Sequence, residues 1–157
     1  MPTVSDFREN LKKLTEQKVK SLTKAIVSDG IVETKLINLN RHDQIFLKGI
    51  DSNGRSLFEY SPATQGIYDR KPPVDTMGEN KPFNSPYNLF WSGDSYYSFW
   101  AYVKGNKLFI TSSQRGRRLL LMHGGPDIFG LTPENAMIAN WEIIAPRLNE
   151  AIRKELL

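Results

Sequence analysis

The segment from Ser61 to Pro86 constrains the fold most, because five of the nine prolines of the chain lie within it. Proline has no backbone N–H and a fixed φ, so both a helix and a central strand are disfavoured there. Loops of this length in compact domains usually have a function. At 157 residues the chain fits one domain. We therefore predict a single domain over residues 1–157, in which residues 61–86 form an extended proline-rich arm or loop that becomes ordered against a partner.

Composition removes several classes of protein. The chain has no cysteine, which excludes disulfides and thiolate metal sites. It has no run of about 18 apolar residues, so we expect no contact with a membrane, and no secretory signal is visible at the N-terminus. The net charge of +4 comes from basic residues spread along the whole chain. Contact with nucleic acid is therefore permitted but not required.

Two helices are predicted before the arm. The first runs from Ser5, a suitable N-cap, to about Ser28, and Gly30 is its stop signal. Its apolar residues recur at helical spacing: Phe7, Leu11, Leu14, Leu22 and Ile26. The second runs from about Val32 to Phe46, with Leu36, Leu39 and Phe46 facing inward.

Turn residues predict two hairpins. The first is small and centres on Gly49 to Arg55, where Asp and Asn-Gly favour a tight turn. The second pairs Phe99–Val103 with Leu108–Thr111 across a turn at Gly105-Asn106. A short helix follows near residues 117–122, ended by Gly124-Gly125-Pro126.

The last helix has the strongest start signal. Thr132 is the predicted N-cap, Pro133 takes the favoured first position and Glu134 lies in the first turn. Pro146 is expected to kink or break this helix. Its apolar residues repeat at helical spacing: Met137, Trp141, Ile144, Leu148, Ile152 and Leu156. The fold class is α+β, with two N-terminal helices, a small antiparallel β-sheet and a long C-terminal helix covering the sheet.

The residues that usually carry catalysis lack their partners. The two histidines, His42 and His123, have no helical metal-ligand spacing. His123-Gly124-Gly125-Pro126 is like the oxyanion loop of some hydrolases, but no nucleophile elbow occurs and no later histidine follows. A hydrolase built on Ser95 and His123 is therefore the weakest hypothesis. We predict no enzyme activity, and no catalytic, cofactor-binding or metal-binding residue.

An aromatic run followed by arginines leaves two interpretations open. Eight aromatic residues lie between Tyr87 and Tyr102. At strand spacing about half of such rings face the core, which favours a core and subunit-contact role over base stacking. Arg115, Arg117 and Arg118 are candidates either for facing DNA or for pairing with carboxylates of a neighbouring subunit.

Four segments, taken in order, resemble a family of phage proteins. They are residues 49–54 (GIDSNG), 60–64 (YSPAT), 86–99 (PYNLFWSGDSYYSF) and 127–135 (DIFGLTPEN). Together they resemble small virion-morphogenesis proteins from tailed phages and prophages of Bacteroidetes-type hosts. These are similar in layout to the Mu-type virion-morphogenesis and tail-completion (head–tail connector) proteins.

The resemblance, which covers roughly Ile45 to the C-terminus, implies a non-catalytic structural subunit of the phage neck or tail. Such subunits form rings, twelve-fold on a portal or six-fold on a tail tube, through head-to-tail contacts that close. The implied partners are further copies of the chain, portal, neck or tail-tube proteins, and genomic DNA in the lumen. The implied location is the virion, after assembly in the host cytoplasm. Candidate subunit-interface residues are Phe7, Leu11, Leu14, Tyr68, Pro72, Pro73, Phe83, Trp91 and Trp100. The alternative is a basic nucleic-acid-binding accessory protein.

Overall fold

A computed structural model describes residues 15–57 and 97–156. It shows helices on both sides of one antiparallel hairpin along the chain, with a long helical stretch at the C-terminal end. The predicted α+β class is therefore confirmed. The proline-rich segment 61–86 lies outside the described residues.

The first described helix, α1, spans Glu16–Val27. Thr15 is its N-cap: its backbone is extended (φ −83°, ψ 159°), and its side chain accepts a hydrogen bond from the Lys18 amide. The prediction of one continuous helix from Ser5 is wrong, because an extended residue cannot lie within a helix. The proposed Ser5 cap itself lies outside the described residues.

The predicted stop at Gly30 is also wrong, since Gly30 begins the next helix. The side chain of Asp29 accepts hydrogen bonds from the amides of Ile31 and Val32 and so caps α2, Gly30–Asn38. The helix then continues as a π-helical segment, Leu39–Lys48. Leu36, Leu39 and Phe46 are buried, as predicted.

The predicted tight turn follows this helix, and its flanks pair through a single bridge rather than as two strands. Gly49 ends the helix in the left-handed region (φ 60°). The buried Asp51 carboxylate accepts hydrogen bonds from the amides of Asn53 (2.8 Å) and Arg55 (2.9 Å). Ile50 then pairs with Ser56 in an antiparallel bridge. The turn is docked on the C-terminal half by the Ser52 amide, which donates to the carbonyl of Asp127 at 2.9 Å.

The second hairpin is present with the predicted turn. Strand β1, Phe99–Lys104, pairs with β2, Lys107–Ser112, so that Ala101 lies opposite Ile110. Helix α2 closes the free edge of β1, because the Glu33 carboxylate accepts the Ala101 amide at 3.0 Å. The C-terminal helix was predicted to cover the sheet. The sheet instead packs most closely on α1 and α2.

Helix α3 spans Gln114–Gly124, and a 3₁₀ turn follows at Pro126–Ile128. The C-terminal helical stretch starts with the predicted cap: Thr132 accepts the Asn135 amide, and Pro133 is the first helical residue. It comprises α4 (Pro133–Ile138), a π-helical segment (Ala139–Ile144) and α5 (Ala145–Leu156).

Pro146 was predicted to kink or break the C-terminal helix; the helix is not broken there, but its bonding departs from the α-helical pattern just before the proline. The π-helical turn just before it shifts the bonding by one residue, so that the Ala145 amide donates to the Asn140 carbonyl. Pro146 is therefore the second residue of a new α-helical register, where its missing N–H costs little. The wider π turn also relieves the clash between the proline ring and the preceding carbonyls.

The core has two hydrophobic clusters that share Leu108 and Leu131 at their margins. One lies among the helices and contains Val27, Val32, Leu36, Leu39, Ala139 and Ile143. The other lies under the hairpin and contains Ile37, Ile45, Phe46, Leu57, Phe99, Ala101, Ile110, Leu120 and Ile128. Since Leu108 belongs to β2, the inner face of the hairpin joins the two clusters.

Three buried amide side chains link the π-helical segment Leu39–Lys48 to α4 through hydrogen bonds. We call Asn40, Gln44 and Asn135 the amide network; their exposed fractions are 0, 0 and 2%. The side-chain Nδ2 of Asn135 donates to the Leu39 carbonyl (2.8 Å) and to Gln44 Oε1 (3.0 Å). Gln44 Oε1 also accepts the Thr132 amide at 2.8 Å.

The same network holds the loop that precedes α4. Asn40 donates to the carbonyls of Ile128 (3.1 Å) and Gly130 (2.6 Å), and Gln44 donates to Gly130 at 3.1 Å. Each bond satisfies a backbone group that would otherwise be costly to bury. The network therefore fixes the relative position of the π-helical segment 39–48, the loop 128–132 and α4.

We expect Asn135→Ala to lower the free energy of unfolding by about 2–3 kcal/mol, because it leaves the Leu39 carbonyl and Gln44 Oε1 short of a donor. Urea denaturation followed by circular dichroism measures this. The matched control is Asn140→Ala on the same helix, where an exposed asparagine is removed and a change within about 0.5 kcal/mol is expected. Equal effects of the two substitutions would contradict the role of the network.

Glycine-to-alanine substitutions at two positions should have opposite effects. Gly130 has φ 131°, and an added Cβ would lie 3.2 Å from Ser52 Cβ, so Gly130→Ala should destabilise by about 1–3 kcal/mol. Gly30 is helical and has open space around the added Cβ, so Gly30→Ala should stabilise by about 0.4–1 kcal/mol. Thermal denaturation of the two variants side by side tests the difference in sign.

Candidate interaction surfaces

The hairpin presents a face that points away from the core. Alternation along the strands buries Phe99 and Ala101 of β1 and Ile110 of β2. The opposite face, which we call the outer hairpin face, consists of Trp100, Tyr102, Lys104, Lys107, Phe109 and Thr111. It therefore holds three aromatic rings, two lysines and no acidic residue.

The three rings of the outer hairpin face form one stack. Trp100 and Tyr102 have centroids 4.9 Å apart and planes inclined by 22°. Tyr102 and Phe109 are directly opposite each other across the strands, with centroids 5.3 Å apart and planes inclined by 16°. Trp100 is 48% and Phe109 is 38% exposed, and Tyr102 lies half-buried between them. The stack thus ends in two accessible rings.

Polar contacts at the open end of the hairpin hold it in place. The hydroxyls of Ser98 and Ser112 lie 2.6 Å apart, and the Ser113 amide donates to the Ser98 carbonyl at 3.0 Å. With the Glu33 bond to β1, these contacts orient the strands so that the ring stack stands on the solvent side.

Lys104 and Lys107 lie opposite each other beside the hairpin turn, where Gly105 has φ 63°. Both lysines are exposed, and neither has a salt bridge to another described residue. Like charges directly across two strands repel each other. The turn end of the outer hairpin face is therefore a position where an anion lowers the electrostatic energy.

The three arginines of α3 are also exposed. Arg115, Arg117 and Arg118 lie in the first turns of the helix, whose Gly116 and Leu120 are buried. Cations near a helix N-terminus are unfavourable, because the free amides there already carry partial positive charge. No salt bridge to these arginines occurs within the described parts of the chain. The exposure predicted for residues facing DNA is present, while contact with DNA itself stays a prediction.

The C-terminal helix has a second apolar face. Met137 (63% exposed) and Trp141 (71% exposed) are one turn apart, whereas Ala139 and Ile143 are buried. The predicted apolar stripe therefore packs on the core only in part: Ile144 contacts the helical cluster, whereas Met137 and Trp141 are exposed. The helix packs Ala139 and Ile143 against the core and leaves the larger Met137 and Trp141 in solvent.

A cleft of about 320 Å³ lies between α1, the hairpin turn and the C-terminal π-helical segment. Its apolar wall includes Val19, Val103, Leu108 and Ile144, and its polar rim includes Glu16, Lys20, Lys107 and Asn140. The Glu16 carboxylate pairs with Lys20 at 2.6 Å, and the hydrogen bond and charge of this lysine lower the pKa of Glu16.

Other surface ion pairs involve the C-terminal helix. Lys154 lowers the pKa of Glu150 through a hydrogen bond and its charge at 2.7 Å. Lys18 pairs with Glu155 at 2.9 Å and joins α1 to α5. Within residues 15–57 and 97–156, no three His, Cys, Asp or Glu side chains lie close enough together to hold a metal ion.

Most predicted interface residues cannot be placed, and one can. Trp100 is exposed on the outer hairpin face. The others lie outside the described residues, as does Ser95 of the weakest hypothesis: Phe7, Leu11, Leu14, Tyr68, Pro72, Pro73, Phe83 and Trp91. Sequence reasoning missed Met137 and Trp141 as surface residues, since their spacing is the same as that of a core stripe.

Comparison with known proteins adds no relative. No family model, no curated protein and no solved structure matches the chain. The helices in the described ranges are each too short or too polar to cross a bilayer.

The ring stack should show a measurable coupling energy. In a double-mutant cycle of Tyr102→Ala and Phe109→Ala, we expect the two rings to stabilise the hairpin by about 0.5–1.5 kcal/mol beyond their separate contributions. Urea denaturation of the two single variants and the double variant gives this value. A cycle of Tyr102→Ala with Met122→Ala, which changes an exposed residue of α3, is the control and should be additive. Additivity in both cycles would contradict the stack.

Proposed function

We propose that this protein is a non-catalytic structural subunit of a tailed-phage virion, placed at the head–tail junction as a neck, connector-ring or tail-completion component. The ordered resemblance from Ile45 onward supports the class of particle. The observation that carries the assembly role is the exposed Met137–Trp141 face of the C-terminal helix. On this proposal the chain acts by binding further copies of itself and neighbouring virion proteins.

The exposed tryptophan is the strongest physical argument for assembly. Single exposed apolar side chains are common, but tryptophan and methionine one helical turn apart form a contiguous patch. Tryptophan is also among the residues that contribute most to binding when buried in an interface. Because the helix already buries its other face, Met137 and Trp141 are free to contact another subunit without any change of fold.

A ring requires each subunit to present two different, complementary surfaces, so that the contact repeats head to tail until it closes. The Met137–Trp141 face supplies one of them. We propose that the second lies within residues 61–86, which are outside the described residues and which the sequence predicts to contact a partner. A closed ring of six or twelve copies would then contact portal, neck or tail-tube proteins in the virion, with genomic DNA in its lumen.

Assembly should depend on this helix face and not on exposed methionine in general. We expect Trp141→Ser and Met137→Ser each to weaken self-association at least about tenfold. Sedimentation velocity over a concentration series, with negative-stain electron microscopy of any rings, measures the effect. Met122→Ser is the matched control, since Met122 is 64% exposed on α3 and Met137 is 63% exposed on the C-terminal helix. A monomer at all concentrations, or equal effects at both methionines, would count against the proposed contact.

The place in the particle has a direct test. Mass spectrometry of purified phage particles from the strain that encodes the chain should detect it at a ring-like copy number relative to the portal protein. Particles that contain portal and tail proteins but lack this chain would refute a structural role in the mature virion.

A further inference from the structure

The outer hairpin face has a composition that the core does not explain. Its three rings and two lysines lie on the solvent side of a sheet whose other side packs against the hydrophobic clusters. No carboxylate interrupts it. We propose that this face binds single-stranded nucleic acid, with unstacked bases extending the ring stack and phosphates lying beside the lysines.

The geometry of the stack fits a base at either end. Tyr102 already has a ring on both sides, whereas Trp100 and Phe109 each have one stacked neighbour and remain 48% and 38% exposed. A planar base that adds to an exposed end continues the same near-parallel arrangement. Stacking on aromatic side chains tolerates any base, because every base has a π face.

The charges complement a phosphate backbone. Lys104 and Lys107 repel each other across the strands unless an anion lies between them. At the other end of β2, the chain leads directly into the exposed Arg115, Arg117 and Arg118. A six-residue strand is roughly 17 Å long, which is the length of a few nucleotides, and the two lysines lie at its turn end.

A single strand fits this face better than a duplex. Bases in a duplex are stacked on one another and are reached only through the grooves, whereas those of a single strand can add to exposed rings. The proposed nucleic-acid site is on the hairpin, whereas the Met137–Trp141 face is on the C-terminal helix. It is therefore independent of the proposed assembly contact.

Binding is tested by fluorescence anisotropy with labelled oligo(dT) and oligo(U), and with a duplex of equal length, at 50 mM salt. We expect the single strands to bind more tightly than the duplex, and Trp100→Ala to weaken binding about 5- to 150-fold, the loss of one base stack. Trp100→Phe keeps a ring and should retain most of the affinity. Leu47→Ala, which removes a 53% exposed apolar side chain from the 39–48 segment, is the matched control and should leave it unchanged.

The lysines have a separate readout. Lys104→Gln and Lys107→Gln should each reduce the slope of log K against log salt by about 0.7, whereas Lys35→Gln, on an exposed position of α2, should not. No binding of either single strand, tighter binding of the duplex, or equal losses for Trp100→Ala and Leu47→Ala would overturn the proposal. Sedimentation of Trp100→Ala distinguishes the remaining case: if this variant loses self-association, the face is covered by a second copy and the proposal fails.

Discussion

The amide network of Asn40, Gln44 and Asn135 is the interaction on which the rest of the described structure depends. Its hydrogen bonds join residues about 90 positions apart in the chain, and they satisfy backbone carbonyls that the surrounding apolar side chains keep from water. Hydrophobic contact alone is not directional and would allow the helices to slide. The network fixes one arrangement of the π-helical segment, the loop before α4 and the C-terminal helix.

Both interaction surfaces follow from that arrangement. Once α4 is held by Asn135, the side of the helix that carries Ala139 and Ile143 faces the cluster of Val32 and Leu36, so the larger Met137 and Trp141 are left in solvent. The hairpin is fixed in a comparable way, because Glu33 bonds to β1 and Leu108 packs against both clusters. Its rings then stack on one another, and Trp100 and Phe109 are exposed to solvent. A candidate assembly face and a candidate nucleic-acid face thus arise on separate elements.

Sequence patterns predicted the parts of the fold that depend on local chemistry. The Thr132–Pro133 helix start, the turn around Asp51 and the hairpin turn at Gly105 are set by caps and by positive φ, which need no distant partner. The errors occurred where a local signal was overridden. Gly30 was predicted to end a helix, but Asp29 caps a new one there. Of the kink or break predicted at Pro146, the break is absent, because a π-helical turn carries the helix through. The candidate surfaces were predicted only in part: the aromatic hairpin was identified, whereas Met137 and Trp141 were identified only as members of the apolar repeat of the last helix.

Residue order alone was enough to predict the helices and the aromatic hairpin. It was also enough to predict the position of the hairpin turn and the start of the C-terminal helix. Those features follow from the φ preference, hydrogen-bonding groups and periodicity of neighbouring residues. Which side of the C-terminal helix is buried depends instead on tertiary contacts. Periodicity shows that apolar residues share a face, but the choice between Trp141 and Ile143 depends on the shape of the opposing helices and on three amide side chains that fix how the helix sits.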